Sequence, residues 1–278
     1  MPRRRKVEYC VAVSNELLGD DAAVPLQGDL ESAFALASNL GFDSVELHAR
    51  NPASLDAGRL RGLCADHDLR IAALGTGLEY SLNANNLVSA DPKVRRRMSE
   101  GLKTYIDLAA SFDAVVFLGL CRGKSPSFSE VPAFLDTLAG ELGDIASYAK
   151  AKAVRLALEP IVFYLTNLLN TTRDCLEFLA AHPDLGTIGF LLDTHHMFIE
   201  DGDIAEAFRS AAGRIEHVHI SDSNRRYPGG GHIDYDLVGR TLKEIDYAHA
   251  VSLEIVPFPT GVEAARNGIA WMKRVWGP

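Results

Sequence analysis

The stretch Leu156-Ala157-Leu158-Glu159-Pro160 is a short apolar run that ends in a carboxylate. Three later stretches also carry a carboxylate or an imidazole within or at the end of an apolar run: Leu191-Leu192-Asp193, His217-Val218-His219-Ile220 and Ser252-Leu253-Glu254-Ile255. Near-continuous apolar runs of this length are typical of parallel strands covered on both faces. We therefore predict four parallel strands here, each with an ionisable side chain near its C-terminal end.

The same strand pattern recurs along the whole chain, with amphipathic helix patterns between the strands. The predicted strands are Val7–Val13, Ser44–His48, Arg70–Leu74, Ala114–Leu118, Val154–Glu159, Ile188–Asp193, Ile215–Ser221 and Val251–Val256. The predicted helices are Leu30–Leu40, one that begins at Asp91-Pro92 and runs through Leu108 towards Phe112, Val131–Lys150, Thr172–Ala181, Ile204–Ala212, Tyr235–Ile245 and Val262–Val275. About eight strand–helix units without a composition break predict an α/β fold, a (β/α)₈ TIM barrel forming a single domain over residues 1–278.

A doubly wound sheet is the alternative fold. It usually has fewer units, and its dinucleotide-binding form carries a glycine-rich phosphate loop after the first strand. Here Ser14-Asn15-Glu16 follows the first predicted strand, so the barrel is favoured.

Four ionisable side chains are expected at one end of this barrel, where TIM-barrel enzymes have their active sites. They are Glu159, Asp193, His219 and Glu254. Each alone is compatible with a structural ion pair, but four such groups converging on one mouth can share a divalent cation. Three carboxylates and one imidazole form an oxygen-rich set, which favours Mn²⁺, with Mg²⁺, Co²⁺ or Zn²⁺ as alternatives.

The histidines differ in their expected roles. His196 lies three residues after Asp193 and is a candidate donor to a substrate oxygen, with a solvent-exposed loop histidine as the alternative. His217 should share the strand face of His219 one layer deeper, as a hydrogen-bonded core residue. His195 is interpreted either as structural or as a residue that supports a metal ligand. Four others do not accompany a candidate ligand in this way and are interpreted as ordinary: His48, His67, His182 and His249.

Two further segments bring cations to the predicted mouth. The polar, glycine-rich segment from Asp222 to Asp234 contains Arg225, and we interpret it as a ligand-binding loop rather than a flexible connection. Arg122 and Lys124 follow the fourth predicted strand. If the substrate is a keto-sugar acid, Arg122 is expected to pair with its carboxylate; the alternative is solvated loop charge.

Composition excludes several classes of function. The 278 residues carry a net charge of −9, which argues against a nucleic-acid partner. No segment approaches the roughly 20 apolar residues of a membrane span. The basic residues Arg3–Lys6 precede a strand-like stretch interrupted by Glu8, which favours a solvated tip over a targeting signal. Four scattered cysteines form no CxxC pair. We expect a cytoplasmic protein that acts on a small molecule, either as a monomer or as a homo-oligomer.

A series of short motifs runs in order through most of the chain. They are Gly75-Thr76-Gly77, Asn86 with Asp91-Pro92, Gly119-Leu120 with Arg122-Gly123, Leu158-Glu159-Pro160, Asp193-Thr194 with His196-Met197, His219 with Asp222-Ser223-Asn224-Arg225, Pro228-Gly229 with Gly231-His232, and Ser252 with Glu254. This set resembles the xylose isomerase-like TIM-barrel family of sugar isomerases and epimerases. It is most similar to the branch with D-tagatose 3-epimerase-like enzymes and 5-keto-L-gluconate epimerase.

The resemblance implies a metal on Glu159, Asp193, His219 and Glu254, and a ketose or keto-sugar acid as substrate. It also implies that Glu159 and Glu254 exchange protons with a carbon next to the carbonyl. His196 and Arg225 would then hold substrate oxygens as an enediolate forms. This agrees with the chemistry, because removing such a proton builds negative charge on oxygen that cations stabilise.

One segment departs from the branch. After Glu-Pro the branch usually carries a polar substrate-binding stretch, whereas this chain has Val162-Phe163-Tyr164-Leu165. The more apolar wall favours a substrate with an apolar or aromatic part. It also keeps open a metal-dependent lyase on the same barrel, such as a decarboxylase, a dehydratase or a C-glycoside-cleaving enzyme.

Two other functions fit less well. A related DNA-repair endonuclease needs additional histidines at the ends of the third and fourth strands, which here read Gly75-Thr76-Gly77 and Gly119-Leu120-Cys121. A non-enzymatic binding module would require a degenerate metal site, but all four candidate ligands are present. The sequence leaves open the exact substrate, the stereocentre, the metal and the oligomeric state.

Overall fold

A computed structural model describes residues 7–277 of the chain, and within that range the strands form one closed sheet. The strands are β1 (Glu8–Ser14), β2 (Leu26–Gln27), β3 (Ser44–His48), β4 (Arg70–Gly75), β5 (Val115–Leu118), β6 (Leu156–Leu158), β7 (Gly189–Asp193), β8 (Ile215–Ile220) and β9 (Ala250–Leu253). Strand β1 pairs in parallel with β3, and successive strands pair in parallel up to β9, which pairs with β1. The eight strands other than β2 therefore form the predicted barrel.

Helices surround the barrel. Between residues 7 and 277 the α-helices are α1 (Leu30–Leu40), α2 (Ala57–His67), α3 (Gly77–Asn83), α4 (Pro92–Ala110), α5 (Val131–Ala151), α6 (Thr172–Ala181), α7 (Thr194–Glu200), α8 (Ile204–Ser210), α9 (Tyr235–Glu244) and α10 (Gly261–Trp276). Short 3₁₀ helices cover Pro52–Ser54, Leu120–Arg122, Phe128–Glu130 and Pro183–Leu185. The helix on the outside of each barrel unit buries its apolar face against the sheet.

Local signals in the sequence set the helix boundaries. Helix α1 begins where Asp29 accepts a hydrogen bond from the Ser32 backbone N–H at 2.9 Å, and it ends at Gly41, whose φ of 86° is the left-handed conformation that glycine adopts freely. Helix α6 begins with a capping box formed by Thr171 and Asp174. Both helices were predicted with these boundaries.

Besides the short 3₁₀ helices, three α-helices and one strand were not predicted from the sequence, for different physical reasons. Helix α2 has two glycines and buries only Leu60 and Leu63, so its apolar period is weak. Helices α3 and α7 have seven residues each and begin almost directly after a strand. Strand β2 has two residues, too few for an alternating pattern.

The predicted last strand extended too far. It was predicted to reach Val256, but β9 ends at Leu253, so Glu254 lies in the loop that follows. The apolar pattern continues past the strand because Ile255 is fully buried in that loop. The predicted fifth strand likewise ended at Glu159, whereas β6 ends at Leu158.

The interior of the barrel contains an apolar cluster at the same level as ionisable side chains. Ala73, Val115, Phe117, Ala157 and Leu191 form a compact buried cluster. The Phe117 ring makes an edge contact with the His219 ring, with a centroid separation of 5.2 Å. The apolar cluster therefore packs directly against the imidazole that we predicted to be a metal ligand.

Three other expectations concern the chain ends, membranes and thiols. The interpretation of Met1–Lys6 as a solvated tip lies outside the described residues, as does part of the predicted domain range 1–278. Among the described residues no helix is both long and apolar enough to cross a membrane. The four cysteines are free, and three of them are buried, namely Cys10, Cys121 and Cys175.

Candidate active site

The structure brings the four predicted ligands together at the C-terminal end of the barrel. Glu159 follows β6, Asp193 ends β7, His219 lies on β8 and Glu254 follows β9. One potential ligand atom from each lies within 4.8 Å of those of the other three. Four consecutive strands thus deliver three carboxylates and one imidazole to one point.

The His219 ring lies between two sets of carboxylates. Its Nε2 is 2.9 Å from Glu46 Oε2. Its Nδ1 is 3.2 Å from Glu254 Oε2 and 3.7 Å from carboxylate oxygens of both Glu159 and Asp193, but this buried nitrogen makes no hydrogen bond. An unbonded buried nitrogen that faces three carboxylates matches the donor set of a divalent cation.

Glu46 is the site residue that the sequence analysis missed. Its fully buried carboxylate lies 2.6 Å from Nε2 of His48, 2.6 Å from Nε2 of His217 and 2.9 Å from Nε2 of His219. An ionised carboxylate only accepts, so each Nε2 donates to it. Burial opposes ionisation, but His219 and the three hydrogen bonds hold the pKa of Glu46 well below its ordinary value.

This arrangement confirms the interpretation of His217 as a hydrogen-bonded core residue. The interpretation of His48 as ordinary is wrong, because His48 shares the Glu46 carboxylate and lines the cavity described below. Glu46 and His48 are two residues apart on β3, as His217 and His219 are on β8. Residues two apart on a strand point to the same face, and this spacing in the sequence could have revealed that Glu46 and His48 face the barrel interior together.

Protons are shared unequally among the clustered groups. Burial, together with the carboxylates of Glu254 and Asp193, outweighs the opposing effect of His219 and raises the pKa of Glu159 to about 8. Burial alone would lower the pKa of His219, but Glu254 and Glu46 raise it well above its ordinary value. At neutral pH both groups therefore hold protons that a cation would displace.

His196 also lies in the cluster. Its Nε2 is 3.8 Å from Glu159 Oε1 and 3.8 Å from Asp193 Oδ2. Burial lowers the pKa of His196 to about 3, so the ring is neutral at physiological pH. Its Nδ1 is buried without a hydrogen-bond partner although the residue lines the cavity, which suits a contact with a substrate oxygen.

Arg225 reaches the cluster from the loop after β8. Its guanidinium donates to the carboxylates of Asp193 and Glu254 and, at 2.9 Å, to Ser221 Oγ. Burial opposes the positive charge, but Asp193 and Glu254 raise the pKa of Arg225 above its ordinary value. A permanent positive charge therefore lies beside the carboxylates, facing the cavity.

The loop from Asp222 to Asp234 is held in shape by its first residue. The Asp222 carboxylate accepts backbone N–H groups of Ser223 at 2.8 Å, Gly229 at 2.8 Å and Ile233 at 3.2 Å. A Cβ at Gly231 would lie 2.2 Å from Asp222 Oδ1, so only glycine allows this close approach. The loop is an ordered support for Arg225, not a flexible connection.

The structure contradicts the predicted substrate contact of Arg122. This residue is fully buried and does not line the cavity, and all three guanidinium nitrogens donate to backbone carbonyls. The acceptors are the carbonyl oxygens of Leu118, Gly119, Glu159, Leu168 and Leu169. Arg122 joins the end of β5 to the loop after β6, so it supports the backbone at Glu159 instead of meeting a substrate. The sequence showed that a positively charged residue follows the strand, but not whether its side chain points into the cavity or into the protein interior.

Replacing Arg122 should therefore reduce stability more than substrate affinity. Arg122→Met removes the donors to the carbonyls of Glu159 and Leu168, whereas the other three acceptors keep a backbone N–H donor. At about 1–3 kcal/mol for each lost partner, we expect the melting temperature to fall by roughly 5–15 °C. The exposed neighbour Lys124 offers a matched control in Lys124→Met, with little expected change. If Arg122→Met instead keeps the wild-type melting temperature and raises KM for acidic substrates only, Arg122 pairs with a substrate carboxylate, as predicted from the sequence.

A cavity of about 630 Å³ opens above the cluster. Tyr164 and Leu165 line it, as predicted for an apolar wall, whereas Val162 is buried away from it and Phe163 is 59% exposed outside it. A Cβ at Gly119 would lie 2.5 Å from Glu159 Oε2, so any larger residue at this position would clash with the Glu159 carboxylate. The segment from Leu18 to Val24 also borders the cavity, which the sequence analysis did not anticipate.

Comparisons with known proteins agree with this architecture. The family described as "Xylose isomerase-like TIM barrel" matches residues 34–275. An L-ribulose 3-epimerase from Mesorhizobium japonicum is 33% identical over 240 residues, covering 84% of this chain and 77% of that protein. A ketose 3-epimerase from Arthrobacter globiformis is 33% identical over 219 residues, covering 77% and 73%.

Among solved structures, D-allulose 3-epimerase from Methylomonas sp. superposes on this protein with a TM-score of 0.81, and the aligned region covers 98% of each chain. At 23% identity this similarity concerns the fold. The family match spans most of the chain, and its curated relatives are sugar epimerases. The protein therefore belongs to the xylose isomerase-like TIM-barrel family.

Proposed function

We propose that this protein is a divalent-metal-dependent epimerase of a ketose or keto-sugar acid. It would remove a proton from a carbon next to the carbonyl and return one to the opposite face. The observation that carries the proposal is the unbonded Nδ1 of His219, which faces three carboxylates from three other strand ends. The 3-epimerase names of the relatives support carbon 3 of a ketose as the reacting centre.

The metal would be held by Glu159, Asp193, His219 and Glu254. Three carboxylates with one imidazole favour Mn²⁺, with Mg²⁺, Co²⁺ or Zn²⁺ as alternatives. When bound, the ion supplies positive charge that stabilises oxygen atoms of the substrate as the proton leaves.

The protein's own groups would carry out the proton transfer. Glu159 and Glu254 reach the cavity from β6 and β9, so a flat intermediate between them presents one face to each carboxylate. One carboxylate takes a proton and the other gives one back, which inverts the carbon. Arg225 and the neutral His196 would hold substrate oxygens while negative charge develops on them.

A metal-dependent lyase is the second candidate, favoured by the apolar residues Tyr164 and Leu165 beside the carboxylates. Incubation of the Mn²⁺-loaded protein with L-ribulose, D-allulose and keto-sugar acids in D₂O distinguishes the two. An epimerase gives a product of the same skeleton with deuterium at the inverted carbon, whereas a lyase changes the skeleton's mass. Absence of both reactions with every sugar would refute the proposal.

Glu46 should strengthen metal binding by holding the His219 imidazole in a fixed orientation. In Glu46→Gln the negative charge is lost, and an amide N–H₂ group replaces one of the two oxygens that accept from His48, His217 and His219. His219 is then held less firmly, and we expect Mn²⁺ affinity to fall about 10- to 100-fold. Glu216→Gln is the matched control, because Glu216 is on the same strand as His219 but pairs with Arg155 at 3.2 Å. Calorimetric titration with Mn²⁺ measures both. Equal affinities in the two variants would rule out this role.

Metal binding should also release protons. Glu159, with a pKa of about 8, and His219, with a pKa well above its ordinary value, both hold protons at pH 7. A cation requires both groups deprotonated, so affinity should rise with pH and fall about 10- to 100-fold per unit below pH 8. Calorimetry in buffers of different ionisation enthalpy should show one to two protons released at pH 7. Affinity independent of pH between 6 and 8 would contradict this linkage.

A further inference from the structure

The cavity has two chemically different sides. Its ionic side comes from the ends of β6, β7, β8 and β9, with Glu159, His196, Arg225 and Glu254. Its apolar side comes from the loop after β1, from helix α3 and from the loops after β5 and β6. The apolar side chains there are Leu18, Ala22, Val24, Leu78, Leu120 and Leu165.

The cavity is larger than a free sugar requires. If each CHOH unit is about the size of one water, which occupies ~30 Å³ in the liquid, a six-carbon ketose fills roughly 200 Å³. The cavity of about 630 Å³ would hold the sugar and leave most of its volume beside the apolar side chains. The site therefore has room for a second group attached to the sugar.

The apolar side is poorly suited to sugar hydroxyls. A hydroxyl that loses water without gaining a partner costs about 1–3 kcal/mol. The polar side chains on this side are Asp21, His48 and Ser81. The Nε2 of His48 is bound to Glu46 at 2.6 Å, and the Tyr164 hydroxyl is paired with His195 Nε2 at 3.0 Å. An alkyl or aryl group would instead gain about 25 cal/mol for each Å² removed from water.

The apolar side is built into the fold rather than formed by a loose loop. The side-chain amide of Gln27, on β2, holds the loop after β1. Its Oε1 accepts from the backbone N–H groups of Leu18 at 2.7 Å and Gly19 at 3.2 Å. Its Nε2 donates to the carbonyls of Gly19 at 3.0 Å and Val24 at 2.9 Å. A fixed apolar wall loses little entropy when a ligand binds.

We propose that this side of the cavity is a subsite for an apolar substituent on the sugar, at the end remote from the reacting carbonyl. The inference rests on the proposed function and names its substrate class, a ketose carrying an alkyl or aryl group instead of a free polyol. The carbonyl end lies at Glu159 and Glu254, and the substituent lies against Leu18, Leu120 and Leu165.

Two ethers with identical reacting ends test the subsite: 6-O-methyl-D-allulose and 6-O-phenyl-D-allulose. For each we would measure kcat/KM by deuterium incorporation in D₂O, and affinity by calorimetry on wild-type protein. The phenyl ether should exceed the methyl ether about tenfold in both quantities, because its ring is removed from water. Equal values for the two ethers would overturn the subsite.

A pair of variants in one loop locates the contact. Leu165→Asn places an amide against the substituent and should reduce the phenyl-to-methyl ratio about three- to tenfold. Phe163→Asn is the matched control, because Phe163 is in the same loop but 59% exposed and outside the cavity. Its ratio should stay within about twofold of wild type. Equal ratios in the two variants would also count against the subsite.

The two proposals fail in different ways. If no ketose incorporates deuterium but the phenyl ether binds about tenfold more tightly than the methyl ether, the epimerase is refuted and the subsite stands. If both ethers are epimerised with the same kcat/KM and the same affinity, the subsite is refuted and the epimerase stands.

Discussion

Replacing Glu159 or Glu254 with glutamine should lower turnover by about 10²–10⁴-fold, the usual contribution of a general base. Glutamine keeps the shape of the side chain but cannot take a proton from carbon. Without a bound cation, burial and the neighbouring carboxylates raise the pKa of Glu159 to about 8, so metal binding must displace this proton before Glu159 can act as a base. Steady-state rates with the ketose that proves to be the substrate measure the loss.

Each glutamate is also a proposed metal ligand, so the loss of a ligand must be separated from the loss of a base. Metal content is measured in each variant, and rates are compared at saturating Mn²⁺. Glu79→Gln is the matched control, because Glu79 is buried but does not line the cavity. It should retain near-normal turnover.

Proton exchange gives a sharper test of the two-carboxylate mechanism. With one base removed, the other carboxylate still faces one side of the substrate carbon. Each single variant should therefore lose epimerisation but still exchange that carbon's proton with D₂O in one of the two epimers. Glu159→Gln and Glu254→Gln should act on opposite epimers. Near-normal epimerisation in both metal-loaded variants would rule out the mechanism.

Removing the metal should abolish turnover while leaving the barrel folded. Arg225 and the imidazole of His219 lie among the carboxylates of Asp193, Glu159 and Glu254, so the stripped site keeps compensating positive charge. We expect about one divalent ion per chain, no activity after chelation, and recovery on adding Mn²⁺. Elemental analysis and assays before and after chelation measure this.

Binding should be visible in stability as well. An ion that binds only the folded state at 100 times its dissociation constant adds about 2.7 kcal/mol, so the melting temperature should rise with added Mn²⁺. Asp193→Asn, which removes one ligand charge, should reduce that rise, whereas Asp184→Asn, outside the site, should not. Full activity without bound metal would refute the metal-dependent mechanism.

The sequence by itself determined the barrel and the four clustered ligands. Apolar runs of strand length alternate with amphipathic helices, and this local pattern fixes the class of fold because each element must bury its apolar face. Once the strands are parallel, their C-terminal ends meet at one edge. Glu159, Asp193, His219 and Glu254 therefore had to lie close together, although no local pattern connects them.

The tertiary structure decided what surrounds those ligands. Glu46 meets His217 and His219 across 171 and 173 residues of sequence, a pairing that depends on the closure of the barrel and on which face each strand turns inward. For Arg122 the prediction from sequence was wrong for the same reason. Its charge and its place after a strand suggested a substrate contact, but its guanidinium turns inward to backbone carbonyls that the long loop after β6 brings to it. The direction of a side chain depends on its partners in space, and those partners exist only in the folded chain.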